Sequence, residues 1–155
     1  MLSVELVKDD VRGFMGKLLR EDFFDSFDVR SVEIVSRNRV EIDGAVENTD
    51  EESDRGKAKQ SFSAWSELRP LVYEVIKLGT KPSCVKIVFS KRDPESIHPN
   101  AAALFINMVY ENDGVMFTTA SSQREFALNK AVDDVWDDFV KGFLLEAGIG
   151  VRDRE

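Results

Sequence analysis

The chain has 155 residues, with 21 Lys+Arg against 29 Asp+Glu, a net charge of −8. That length suits one domain with a single sizeable core, and 43% hydrophobic with 32% charged residues excludes a disordered tail or a fibre. The acidic balance argues against a surface given over to nucleic acid or anionic lipid, and one Cys with one His removes disulfides, multi-Cys zinc sites and His-pair metal sites.

Met1 to Lys8 lacks the apolar stretch of an export signal, and nowhere do about 18 apolar residues run together, so no transmembrane helix is expected. The residues Val151 to Glu155 match no lipidation signal and read as a short polar tail after a single domain over 1–150. One unpaired thiol, Cys84, makes a reducing cytoplasm the expected compartment.

Val11, Phe14, Met15, Leu18 and Leu19 fall at i, i+3, i+4, i+7 and i+8, one stripe of an amphipathic helix that Asp9 or Asp10 can cap. Gly13 and Gly16 inside it point to close approach by another element, and Phe23, Phe24 and Phe27 follow as apolar filling. Val32 and Ile34, then Val40 and Ile42, alternate with polar residues and predict a hairpin. Its Arg37-Asn38-Arg39 turn needs an odd loop length to keep both apolar sets on one face, with Asn38 suited to a left-handed conformation. Residues 47–57 carry no apolar side chain and read as a flexible acidic loop that separates elements rather than domains.

Trp65, Leu68, Val72, Val75 and Ile76 mark a second helix, with Pro70 near its start or at a kink and Gly79 and Pro82 ending it. Cys84 to Ser90 is a strand with Val85, Ile87 and Phe89 on one face, and Lys91 to Asn100 is a long loop. Ala102 to Tyr110, apolar on both faces apart from Asn107, reads as a central strand. Asn112-Asp113-Gly114 turns it back into an antiparallel strand over Val115 to Ala120, and a short strand over Glu125 to Leu128 extends the meander. The closing helix carries Val132, Val135, Trp136, Phe139, Val140, Phe143 and Leu144, capped near Asn129 and stopped by Gly148. The expected fold is α+β: a mainly antiparallel sheet of five to six strands with three amphipathic helices packed on it.

The run Trp65-Ser-Glu-Leu-Arg-Pro70, then Ile76-Lys77, Pro82 and Lys86-Ile87-Val88, resembles DUF5721, a bacterial family of uncharacterised proteins. The opening helix, the Ile42-Asp43-Gly44 triplet, Asn107 before Tyr110-Glu111, and the Trp136 helix lie in similar order, so the resemblance spans nearly the whole chain. Leu78 stands where the family would place a Gly after the Ile-Lys pair. The resemblance implies no activity, cofactor or catalytic residue.

Lys77, Lys81, Lys86, Lys91 and Arg92 form a basic stretch without an intervening acid, and Arg69 on the preceding helix can join it. Such a set suits an anion or single-stranded nucleic acid, yet also an exposed strand edge guarded by lysines, and apart from Phe89, on the strand's apolar face, no aromatic is interleaved for base stacking. No phosphate-cradling glycine loop is present. Glu33, Glu41 and Asp43 should share the outward face of the hairpin, where they could hold a divalent metal, or simply pair with Arg39 on the same face. Asp50, Glu51, Glu52 and Asp54 lack EF-hand spacing. Lys81 and Lys86 could lower the Cys84 thiol pKa, but no Cys/His/Asn set surrounds it, His98 reads as a loop residue, and Trp65 and Trp136 read as core. Arg69 beside an apolar stripe reads first as the partner of a carboxylate or carbonyl.

These features favour a non-catalytic cytoplasmic interaction or binding domain that acts on a protein partner or on itself. The apolar Ala, Met and Tyr side chains of Ala102 to Tyr110 would form the interface if that strand has an uncovered side. An anion or nucleic-acid binder using the basic stretch is the alternative, and a metal-dependent enzyme on the hairpin carboxylates is the outsider. No cofactor and no membrane are called for.

Overall fold

The computed structural model describes residues 1–47 and 61–154. Seven strands build one antiparallel sheet: β1 (Ser3–Leu6), β2 (Asp28–Val35), β3 (Arg39–Asp43), β4 (Cys84–Ser90), β5 (Ala101–Glu111), β6 (Gly114–Gln123) and β7 (Val151–Asp153). Their spatial order is β3-β2-β4-β5-β6-β1-β7. With three helices, α1 (Val11–Arg20), α2 (Trp65–Leu78) and α3 (Ala131–Glu146), the fold is α+β as expected, with one strand beyond the upper expectation. The acidic loop expected over 47–57 lies, apart from Glu47, outside the described residues.

Strand alternation sets the two faces of the sheet. Val32, Ile87, Met108, Phe117 and Val4 are successive cross-strand partners, as are Ile34, Val85, Tyr110 and Val115, and every one of them is buried. All three helices pack on this side. Phe14 of α1 meets Phe117 edge-on at 5.5 Å, and Trp65 of α2 meets Phe89 at 5.5 Å. From α3, Trp136 donates its indole N–H to the Phe105 carbonyl at 3.0 Å, while Asp137 and Asp133 accept from the Thr119 and Ser121 hydroxyls of β6. Phe24 contacts Phe14, Phe23, Phe27, Phe89, Phe117 and Phe143, so the rings that leave α1 join helices to sheet. Full burial of one such ring is worth about 1.5–3 kcal/mol.

Local chemistry explains the element ends. The hairpin loop between β2 and β3 has the odd length required, Ser36 to Asn38, with Ile34 opposite Val40. Asn38 does not take the left-handed conformation expected of it. Asn112 and Asp113 do, at φ of 54° and 58°, and together they form the two-residue connection between β5 and β6. Asp10 precedes α1 without a side-chain cap, since a 3₁₀ turn over Lys8–Asp10 leads into the helix. At α3, Asn129 Oδ1 accepts the Ala131 N–H at 3.2 Å, and Gly148 at φ 74° lets the Ile149 N–H reach the Leu144 carbonyl.

Further expectations need correction. Gly13 and Gly16 face open space, so no element approaches them closely. Residues Glu125 to Leu128 are not a strand, and Phe126 and Leu128 lie exposed. Residues 151–153, read as a polar tail, form β7 and pair with β1, a strand equally unexpected between the sheet edge and β6.

The opposite side of the sheet carries Ser31, Glu33, Lys86, Val88, Phe105, Asn107, Val109, Met116 and Thr118. Among the described residues no helix covers it. Met108 and Tyr110, expected in an interface, instead face the helices; Phe105 and Val109 take the outward positions, half-buried among their neighbours.

Candidate functional site

Between Val29 and Ser31 the pairing of β2 with β4 shifts by one residue, because Arg30 is an extra residue in β2. Such a bulge re-aims a side chain. Arg30 turns across the end of the sheet, where its Nε donates to Ser90 Oγ at 3.3 Å. Its guanidinium carbon lies 3.8 Å from the Phe62 ring centroid and 5.2 Å from that of Phe105. Among the described residues no carboxylate forms an ion pair with it. Burial pushes its pKa down from the usual value, and the field of Asp28 offsets part of that. A guanidinium keeps its proton regardless, so the shift registers the partial desolvation of this charge.

Arg30 opens into a cleft of about 660 Å³ where the start of β2, the end of β4 and the start of β5 meet the loop after β4. Three further cations line it. Arg92 is held by Asp28 through two hydrogen bonds, at 2.8 and 3.1 Å, and Arg124 lies 3.6 Å from Glu95. Lys91 Nζ donates to the Arg92 carbonyl at 2.9 Å. Glu67 and Asp93 complete the charged lining, so four cations face four carboxylates, with Arg30 and Lys91 left without a carboxylate partner among the described residues.

The basic stretch is spread along the molecule. Lys91 and Arg92 reach the cleft, whereas Lys81 precedes the other end of β4, a strand of seven residues and about 23 Å at the usual rise per residue. There Lys81 is held by Asp113 at 2.7 Å, which raises its pKa and lowers that of Asp113. Lys77 stays at the end of α2 beside the Tyr73 ring, and Lys86 stands on the open sheet face opposite Glu33. Arg69 grips Asp25 with two hydrogen bonds, at 2.9 and 3.2 Å, and also donates to the Arg20 carbonyl.

The hairpin carboxylates do share one face, Glu33 directly opposite Glu41, with Arg39 3.5 and 3.8 Å from them. Asp43 turns away to accept the Ala45 N–H. No cluster able to hold a metal ion occurs among the described residues. For Cys84 the dominant influence is burial, which raises the thiol pKa against a smaller opposing effect of Lys86. His98 Nδ1 accepts the Asn100 N–H, a loop-fixing role, and Trp65 and Trp136 are core. Sequence reasoning missed Arg30 and Arg124. The first depends on a bulge and the second on a loop packed beside Asn100, and neither leaves a local sequence signal.

Fold and site define a one-sided antiparallel sheet domain with a polar cleft at one end of its sheet, beside the start of α2. Residues 17–151 match a family of unknown function, DUF5721, and the chain belongs to that family. No curated protein and no solved structure matches it. No helix among the described residues is long and apolar enough to cross a membrane.

Proposed function

We propose that the protein is a non-catalytic, cytoplasmic binding domain whose cleft takes a small ligand bearing a carboxylate or phosphate. The observation that carries this reading is Arg30. Two phenyl rings lie beside its guanidinium and Ser90 takes its Nε, and among the described residues nothing hydrogen-bonds its terminal N–H groups, which leaves them for an oxyanion approaching in the guanidinium plane. The flanking rings and Ser90 hold the fork in place before any ligand arrives, which lowers the ordering cost of binding. Lys91 adds a second positive charge on the lining. Four carboxylates on the same walls disfavour a long polyanion, so a nucleic-acid strand ranks below a small anion.

Titration calorimetry with inorganic phosphate, pyrophosphate and citrate tests the reading. One saturable site is expected for one of these anions, weakened about tenfold by Arg30→Lys, which keeps the charge and loses the fork. Binding that is equally strong in Arg30→Lys, or no binding of any of the three, counts against the cleft.

The open sheet face supports a second reading, self-association. Val88, Phe105, Val109 and Met116 are half-buried there with no described element over them. Light scattering should then show a dimer that Val109→Asp converts to monomer; a wild-type monomer at high concentration would dismiss this reading.

A further inference from the structure

A second groove, of about 440 Å³, runs between α1, the end of α2 and the β5–β6 turn, far from Arg30. Its composition changes along its length. Val11, Met15 and Leu19 of α1 lie at successive turns, about 12 Å from first to last at the helical rise. Toward Leu19 this wall is apolar, and Ile76 of α2 also lines the groove. At the Val11 end the walls are Lys8, Arg12, Lys81, Tyr110 and Asp113. Asp113 there accepts hydrogen bonds from Lys81 at 2.7 Å and from Tyr110 at 3.2 Å. Lys8 and Arg12 have no ion-pair partner among the described residues. Three cations against one carboxylate leave this end positive in a chain of net charge −8.

We propose that this groove binds an amphipathic monoanion: a single medium-length acyl chain with a carboxylate head. The hydrocarbon would lie along Met15, Leu19 and Ile76, and the head would meet Arg12 and Lys8. A docked helix would require an apolar strip with charges along both flanks, whereas here charge and apolar surface are separated end to end. A small hydrophilic anion would leave the Met15–Leu19 end uncovered. Only a chain with a charged head matches both ends, and Lys81, already held by Asp113, sets the polar boundary rather than supplying the main contact.

The test is titration of the protein with sodium decanoate below its micellar range, with decanol and butyrate as comparison ligands. Decanoate should bind once per chain, with amide shifts in nitrogen–proton correlation spectra centred on residues 8–19, 76–82 and 110–113. Arg12→Gln, a change at an exposed position, should weaken decanoate roughly fivefold and leave decanol unchanged. Met15→Glu should weaken both ligands, with an unaltered far-ultraviolet spectrum showing that the fold is intact. Absence of saturable binding, shifts centred elsewhere, or equal affinity in Arg12→Gln and wild type would each overturn the proposal. The groove shares no residue with the Arg30 cleft, so the two readings fail independently.

Discussion

At the residue scale, the glycines separate into two kinds by the space around them. A Cβ on Gly13, Gly16 or Gly142 would meet nothing within 4 Å, and all three lie inside helices. Each therefore costs helix stability without serving a close contact, and Gly13→Ala, Gly16→Ala and Gly142→Ala should each stabilise the fold by about 0.5–1 kcal/mol in urea denaturation. Gly44 is the opposite case. A Cβ there would stand 1.7 Å from the Val29 carbonyl oxygen, while the Gly44 N–H donates to Arg30 and its carbonyl accepts from Ser63. Gly44→Ala must push apart the backbone that sets the Arg30 bulge. It should cost several kcal/mol, on the order of the largest single-site effects, and a variant as stable as wild type would show that this backbone gives way easily.

Charged residues at the same scale also have separable roles. Arg69 and Asp25 are each only 22% exposed, and the fork geometry of their contact is available to Arg alone. Arg69→Lys should lose about 1–2 kcal/mol of stability while leaving ligand binding at the cleft untouched. Lys81 and Asp113 form an exposed pair whose pH dependence has a definite sign. Asp113 has a folded-state pKa below its ordinary 3.8, so its contribution is full above that value and disappears as pH falls through the lower one. Lys81 has a folded-state pKa above its ordinary 10.5, so its contribution is full below that and disappears as pH rises through the higher one. The stability difference between wild type and Lys81→Met should accordingly be flat near neutrality and shrink at both extremes. Melting curves across pH check this, and a difference that persists in strong acid would assign the effect to packing.

At the scale of elements, the Trp65-Ser-Glu-Leu-Arg-Pro70 run turns out to be a structural joint. Trp65 donates its indole N–H to the Leu18 carbonyl, Glu67 Oε1 accepts the Ala64 N–H ahead of the helix, and Arg69 ties Asp25 and the Arg20 carbonyl. Trp65 and Arg69 thus anchor α2 to the end of α1 while Glu67 caps the helix start, so each of the three has a structural role. What the sequence made legible follows the same logic. The bounds of β4, the Asn112-Asp113 turn and α3 rest on strong local period and turn chemistry, and the structure places them as read. β1 and β7 have four and three residues, too few for alternation to stand out, and they form by long-range pairing, β1 on β6 and β7 on β1. The cleft was half legible: Lys91 and Arg92 were singled out, but Arg30 reaches them through a pairing shift between strands that are distant in sequence. Side-chain direction past a bulge is a tertiary property, and no local window contains it.

At the scale of the whole molecule, the two ends of the chain close the sheet together. β1 lies between β6 and β7, so β7 is the outermost strand and, among the described residues, the only cover for one edge of β1. Its pairing is reinforced by the Arg152 contact to Glu5 at 3.0 Å and by the Arg154 N–H to the Ser3 carbonyl. Deleting residues 151–155 would remove these bonds and leave β1, whose Val4 and Leu6 are core residues, as a short unprotected edge. Two consequences are expected. Stability should fall by about 1–3 kcal/mol, reflecting a few backbone hydrogen bonds and the half-buried Val151. Amide exchange should quicken throughout β1 while β4 and β5, flanked on both sides by other strands, keep their protection. The bared edge should also pair between copies at raised concentration, since an unpaired strand edge is a template for another. Hydrogen exchange and sedimentation of the truncated chain decide the matter. Unchanged protection in β1 would mean that its pairing with β6 and its packing under α1 suffice, and that β7 serves only to blunt the edge.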